Sequence, residues 1–415
     1  MMQKIVVAGG GSASSVLVGH LLRTGRVEPY NILVVEPSLI NYYQPGFTMV
    51  GGGLIGDLSD PNNSSINIIR HQTRDMFHPH VQILNEAVKS FNPTNNQLTT
   101  SENKTITYEH LIVALGIHLN YESIPGLLDS LNDPTSPVGS IYRFDYAIKM
   151  NKVINSFKGG KAVFCIPPQP IKCAGAPQKI MYLANDTFKS KNLKDYSIDY
   201  YMAQPAIFSV PKYAKSLAEI AKNKGIELHY EHTLAKVDKV NKVATFKDKE
   251  GKEINQEFDL LHVPPPQRAV DVLKTSELVD PTGFVTIDKD SLRHTKYSNV
   301  WALGDCTNLP TSKTLAAGIG QSNVLTHNLV QVLDNKQPTG KYQGYTSCPI
   351  FVGGNKLMLC EFKYAGEVDE TFSSKQDVPA GLYYMIKRFV FPYVYKYWFS
   401  RGWWFGKTTI FKPKV

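Results

Sequence analysis

A chain of 415 residues, 42% hydrophobic and 20% charged, has the length and composition of a globular protein with two or three domains and sizeable cores. Its net charge of +9 comes without a compact Lys/Arg stripe or a reading motif, which argues against nucleic acid and leaves an anionic membrane surface as the better partner. Five cysteines, at 165, 173, 306, 348 and 360, form no CxxC pair and stand at no metal-ligand spacing, so neither a disulfide-stapled secreted scaffold nor a metal centre is expected.

The chain runs from Met1 straight into a strand, so no targeting segment is expected, and no window of about 18 uncharged apolar residues predicts a spanning helix. Lys4 to Ala8 is a buried-strand run leading into Gly9-Gly10-Gly11-Ser12-Ala13-Ser14. A helix follows, with apolar residues at Ala13, Val16, Leu17, Leu21 and Leu22, and Gly25 stops it. Asn31 to Val35 is a second strand ending on Glu36. Strand, glycine turn, helix, strand and acid together are the dinucleotide fingerprint in its context. Gly9 permits the tight turn and Gly11 the approach of a pyrophosphate. Ser14 stands where a third small residue lets helix and strand pack, and Glu36 is placed for ribose hydroxyls.

Further along, Val81 to Val88 and Thr105 to Tyr108 read as strands, and His110 to Gly116 as a buried strand closing on a glycine turn. Asn299 to Asp305 repeats that last form with an acid at its end. The pairing of the two motifs suits FAD, with Gly304-Asp305 on the ribityl and pyrophosphate side.

Between them, Lys161 to Ile180 (KAVFCIPPQPIKCAGAPQKI) opens like a second nucleotide unit. Its turn, however, is built of Pro167, Pro168 and Pro170, which remove amide donors and fix φ, so it cannot cradle phosphates. What it offers is Cys173 beside Lys172 just ahead of a helix start, where a thiolate would be stabilised. A helix from Ala176 to about Lys189, a strand from Ser197 to Met202, and a helix from Pro211 that Gly225 ends are expected next. Tyr213, Leu217, Ile220 and Ala221 form the apolar face of the latter. Residues 226–246 read as hairpin strands. No carboxylate closes the strand at Met202, so pyridine nucleotide is not expected as a partner. From Lys341 the composition changes: Cys348-Pro349 leads into short strands at Ile350 to Val352 and Lys356 to Phe362. The tail, Ala380 to Phe405, is crowded with aromatics and interrupted by Lys387, Arg388, Lys396 and Arg401. Pro392 is expected to split it into two short amphipathic segments. They form either a monotopic membrane foot with basic residues toward anionic lipid, the preferred reading, or a core-packing helix pair.

The segments GGGSAS at 9–14, VVEP at 34–37, YYQPGFTMVGGG at 42–53 and LIVALG at 111–116 carry a resemblance that continues downstream. With IKCAGAPQKIMYLA at 171–184, LLHVPPP at 260–266, GDCTNLPTSKT at 304–314, YTSCP at 345–349 and the aromatic tail, the chain resembles the sulfide:quinone oxidoreductases, particularly the mitochondrial type. The resemblance covers essentially the whole chain. It implies an α/β fold of two Rossmann-like dinucleotide-binding domains with a C-terminal amphipathic membrane-anchoring region. The FAD domain would comprise 1–118 and 294–340, a degenerate NAD-type domain 142–293, and the C-terminal region 341–415. The implied enzyme is a peripheral membrane flavoprotein that oxidises hydrogen sulfide and reduces a ubiquinone-type quinone. It would sit on the mitochondrial inner membrane in a eukaryote, or on the cytoplasmic membrane in a bacterium, and self-association is left open.

Cys173 and Cys348 match the family's redox pair, joined at rest directly or through a bridging sulfur. Sulfide would attack on the Cys348 side, leaving a persulfide there and freeing Cys173 toward the flavin. A small acceptor (glutathione, sulfite or cyanide) would take the sulfane sulfur. The implied cofactor-binding set is Gly9, Gly11, Ser12, Ser14, Glu36, Gln44, Val88, Gly116, Asp305 and Lys313, the last near the flavin pyrimidine edge. Phe389, Phe391, Tyr395 and Trp398 are the quinone candidates, and no metal is implied. Ser14 departs from the usual Gly or Ala. Cys165, Cys306 and Cys360 read as small buried hydrophobes. Two rival readings remain: an NADH:quinone reductase on the same scaffold, and a flavin-containing persulfide-binding protein without turnover.

Overall fold

The computed structural model describes residues 2–56, 64–372 and 375–405. Its frame is two mainly parallel sheets. In the first, Met2–Ala8 lies between Ile32–Val35 and Thr105–Val113, with Gln82–Leu84 outside one and Val300–Ala302 outside the other, all parallel. Ile5, Val6, Val7 and Ala8 are wholly buried, as an uninterrupted apolar run must be in a sheet covered on both faces. The helix Ser12–Arg23 and its stop at Gly25 lie where the sequence puts them.

Two strand boundaries differ from the sequence reading. Thr105–Val113 is one strand, because Glu109-His110 continues the ladder, with Gln3 opposite Tyr108 and Ile5 opposite His110. Conversely, 81–88 is not one strand. Gln82–Leu84 ends where Leu84 accepts from the Glu36 and Glu86 amides, and Val88–Asn92 begins an antiparallel pairing with Gln97–Thr100.

The second sheet orders Val138–Gly139, Leu260–His262, Gly160–Ile166, Tyr196–Met202 and Ile226–Tyr230, every pair parallel. Helices Ala176–Ser190 and Pro211–Asn223 make two of its crossovers, each with a proline in its first turn where the missing amide costs nothing. Ile226–Tyr230 is thus a fifth parallel strand, and antiparallel pairing starts only at Thr233–Asp238 with Val243–Lys247. The expected limits of 142–293 also shift. The second sheet draws in Val138, whereas Leu273, Leu278, Val285, Ile287 and Leu292 pack into the core of the first.

A hairpin, Thr346–Gly353 with Lys356–Phe362, lies against the helix Ala176–Ser190. The tail then runs as Gly381–Met385, a wide π turn at Ile386–Val390, and Phe391–Tyr397 without a break. Pro392 does not split it: the proline stands two residues past the π turn, and the wider turn just before it takes up the ring while the helix continues. The end of the tail closes on the helix Ser12–Arg23. A Cβ on Gly19 would come 2.5 Å from the Gly402 amide nitrogen, so that helix needs a glycine for the tail to dock. The expected C-terminal region 341–415 has its last ten residues outside the described ones.

Candidate active site: a cysteine pair on a long cavity

The first strand ends in a turn only glycine can make. Gly9 has φ +103°, and a Cβ there would lie 2.5 Å from the Ala114 carbonyl oxygen. The Gly10 amide donates to Glu36 Oε2 at 2.6 Å and the Ser38 amide to Oε1 at 2.8 Å, so the carboxylate is fixed across the mouth of the turn. Gly11 has open space where a side chain would go. Ser14 is buried, and its hydroxyl donates to the Gly9 carbonyl at 2.6 Å, so the departure from Gly or Ala gains its own partner.

From this turn a cavity of about 1020 Å³ extends to the C-terminal tail. Gly9, Gly11, Ser12, Glu36, Gln44, Val88, Gly116, Asp305 and Lys313 all line it, while Ser14 lies beneath. The volume, the tight glycine turn at Gly9, the open approach at Gly11, and a carboxylate at the end of the second strand fit a dinucleotide. Lys313 is already engaged: its ammonium donates to the carbonyls of Asp305 at 2.8 Å and Thr307 at 3.0 Å, and burial lowers its pKa. Burial raises the Asp305 carboxyl. The freer cation is Lys172, whose Nζ donates to Gln44 Oε1 at 2.9 Å and which burial pushes down to about 8.

Midway along the cavity the proline turn presents Cys173 in the left-handed region, at φ +82°. Its Sγ lies 3.8 Å from Cys348 Sγ, and Lys179 Nζ lies 3.4 Å from it. Lys179 occupies the first turn of the helix Ala176–Ser190, and helical side chains lean toward the N-terminus, which returns its ammonium to the thiol. Cys348 comes from a strand and not from a turn, because Pro349 continues the hairpin ladder opposite Leu359. Gly175 leaves room for it, since a Cβ there would fall 2.7 Å from Cys348 Sγ. Cys173 lines the cavity, whereas Cys348 is 3% exposed and lies behind it.

The two sulfurs are driven apart in acidity. The Cys348 thiol donates to Cys173 and the Lys179 ammonium faces it, so the Cys173 thiol is held well below its ordinary value despite burial. That same bond, with burial, holds Cys348 protonated. Lys179 stays charged: burial opposes it, but the sulfurs outweigh burial. A second buried cation, Lys387, reaches in from the tail, donates to the Tyr43 hydroxyl at 2.9 Å, and is pushed down to about 7 by burial. The other cysteines are buried: Cys306 is pushed up to about 11 by burial, and burial raises the Cys165 and Cys360 thiols as well.

The tail aromatics divide. Phe391 and Trp398 line the cavity, whereas Phe389 points outward. Tyr395 is wholly buried, donating to Asn41 Oδ1 at 2.5 Å and sharing a hydrogen bond with Ser12 Oγ at 2.9 Å. It fastens the tail to the glycine turn and is closed to a ligand, which corrects its place among the quinone candidates. Lys387 likewise points into the protein and not toward lipid. The outer face of the tail carries Leu382, Met385, Phe389, Tyr393 and Tyr397, each 48–64% exposed. Among the described residues no helix is long and apolar enough to cross a membrane.

No family model matches the chain. Among curated proteins, the mitochondrial sulfide:quinone oxidoreductase of Mus musculus is 39% identical over 406 residues, 97% of this chain and 87% of that protein. The mitochondrial sulfide:quinone oxidoreductase of Dictyostelium discoideum is 36% identical over 413 residues, 99% of this chain and 88% of that protein. Among solved structures, the sulfide:quinone oxidoreductase of the hyperthermophilic bacterium Aquifex aeolicus shares the fold, with a TM-score of 0.77 at 15% identity over 95% of this chain and 91% of that one.

Proposed function

The chain belongs to the mitochondrial sulfide:quinone oxidoreductases, and from that premise we propose that it binds FAD in the long cavity, oxidises hydrogen sulfide at Cys173 and Cys348, and passes two electrons to a membrane quinone. The observation that carries this reading is the sulfur pair itself: two Sγ atoms 3.8 Å apart, only Cys173 on the cavity wall, with the Lys179 ammonium 3.4 Å from it.

Gly9, Gly11 and Glu36 would hold the dinucleotide end of FAD, and Lys172, Gln44 and Lys313 the flavin end. When bound there, FAD supplies a two-electron acceptor between the sulfur pair and the quinone. The protein's own sulfurs do the rest. Hydrosulfide attacks Cys348 Sγ of the oxidised pair; its bond to Cys348 forms, the Cys173–Cys348 bond breaks, and Cys173 leaves as thiolate. Lys179 stabilises that leaving group, which gives Cys173 the lower pKa the step requires. A small thiol, sulfite or cyanide then takes the outer sulfur of the Cys348 persulfide, and Cys348 departs as thiolate. Lys387, poised near neutrality against Tyr43, holds a proton on the wall between the sulfurs and the tail.

Phe391 and Trp398 would receive the quinone at the cavity mouth, with the exposed outer face of the tail lying in the mitochondrial inner membrane. The two sheets would form the FAD and the second dinucleotide-type domain, the latter serving as the platform for Cys173. Anaerobic titration tests the whole: sulfide should bleach a yellow flavin and quinone should restore it, and Cys173→Ser or Cys348→Ser should each lower turnover by orders of magnitude, the double variant little further. Bleaching by NADH and not by sulfide would overturn the reading.

A further inference from the structure

The hairpin that carries Cys348 carries another sulfur. Its strands, Thr346–Gly353 and Lys356–Phe362, are antiparallel in a register that sets Cys348 directly opposite Cys360. Directly opposed residues send their side chains to the same face, with Cα atoms about 4.5–5.5 Å apart. That separation falls within the ~4.4–6.8 Å a disulfide spans. Neither sulfur faces the cavity: Cys348, Cys360, Ile350 and Met358 pack in one core beneath the helix Ala176–Ser190, while the alternate residues Pro349 and Leu359 line the cavity. Cys348 therefore stands between two sulfurs, Cys173 at 3.8 Å and Cys360 across the ladder, and the Lys179 ammonium acts on all three.

Resting on the reading of Cys173 and Cys348 as the redox pair, we propose that Cys360 is a second exchange partner of Cys348, able to replace Cys173 in a cross-strand disulfide. The step needs no outside oxidant. Cys360 gives up its proton and attacks Cys348 Sγ; the Cys348–Cys360 bond forms, the Cys173–Cys348 bond breaks, and Cys173 leaves with the electron pair as thiolate beside Lys179. The product is a resting form in which Cys348 stays at the disulfide level while Cys173 stands free as a thiolate, and Cys173 reverses it by attacking Cys348 again. Burial keeps Cys360 protonated, so the forward exchange is slow at neutral pH and quickens as pH rises.

Peptide mapping without reduction, after quenching with an alkylating agent, tests this. In the Cys173→Ala holoenzyme treated with diamide, Cys348 and Cys360 should become linked and the free thiols should fall from four to two, leaving Cys165 and Cys306. Alkylation of both Cys348 and Cys360, or capture of either by added glutathione in place of the link, overturns the proposal. The wild-type enzyme gives a second measurement that does not depend on that variant's folding. Held oxidised at alkaline pH without sulfide, it should accumulate 348–360 peptides and an alkylatable Cys173. Finding only the 173–348 link at every pH overturns the exchange and leaves the pair standing. Finding no 173–348 link in any oxidised sample removes the pair itself.

Discussion

Replacing Lys179 by methionine removes the ammonium that faces Cys173 Sγ at 3.4 Å, in a site where both groups are buried. At an effective dielectric of about 20, a unit charge at that distance is worth roughly 5 kcal/mol. A hydrogen bond to a charged group, taken alone, contributes about 2 kcal/mol. The loss to the thiolate thus lies at about 2 to 5 kcal/mol, which is about 1.5 to 3.5 pH units of acidity. The sign follows from the charge: the cation favours the thiolate, so its removal raises the Cys173 pKa. The acid limb of activity should then move to higher pH. Lys387 stays near the pair and moderates the shift without reversing it. The assay is the pH dependence of Cys173 alkylation in the reduced protein, read beside the pH profile of sulfide-driven flavin bleaching. Lys179→Arg, which keeps the charge, should restore most of the wild-type profile. Profiles that coincide for wild type and Lys179→Met would refute the idea that this ammonium sets the reactivity of Cys173.

Three further outcomes are expected. Gly9→Ala should abolish flavin retention, because its Cβ would sit 2.5 Å from the Ala114 carbonyl at φ +103°; protein purified with full flavin absorbance would count against that turn as the cofactor cradle. Replacing Leu382, Met385 and Phe389 together by serine removes three side chains about half exposed. At about 1 kcal/mol each, the loss is on the order of 100-fold in binding to anionic vesicles, and unchanged partitioning in a flotation assay would remove the outer face as the membrane contact. Tyr395→Phe should leave Asn41 Oδ1 buried without its donor, lowering stability by about 1 to 3 kcal/mol. Because Asn41 Nδ2 also donates to the Gly10 carbonyl at 3.1 Å, flavin should be released at lower temperature, and an unaltered melting profile would contradict the fastening role.

What the sequence discloses depends on how local the determining force is. Gly9, Ser14 and Glu36 could be read because strand, turn and helix follow one another within a few turns of chain, and each residue answers to its neighbours. The proline turn was legible for the same reason: three prolines remove the amides a phosphate would need, whatever the rest of the fold does. Lys179 left a signal that could have been used, since its place one turn into a helix that starts three residues after Cys173 aims it backward at the sulfur. Lys387 left none. Amid exposed aromatics it reads as a lipid-facing cation, and only the return of the tail across Tyr43 buries it. Tyr395 was misassigned for that reason too, because its partners, Ser12 and Asn41, lie more than 350 positions earlier. Cys360 is the instructive case. By itself it is a small buried hydrophobe, as its composition and surroundings suggest, and nothing in its own segment contradicts that. The register of one hairpin turns it into the neighbour of Cys348, and register is set by the turn at 354–355 and the packing beneath Ala176–Ser190, not by the residue itself. A side chain's chemistry is written in its segment, whereas its reach is written in the pairing of segments.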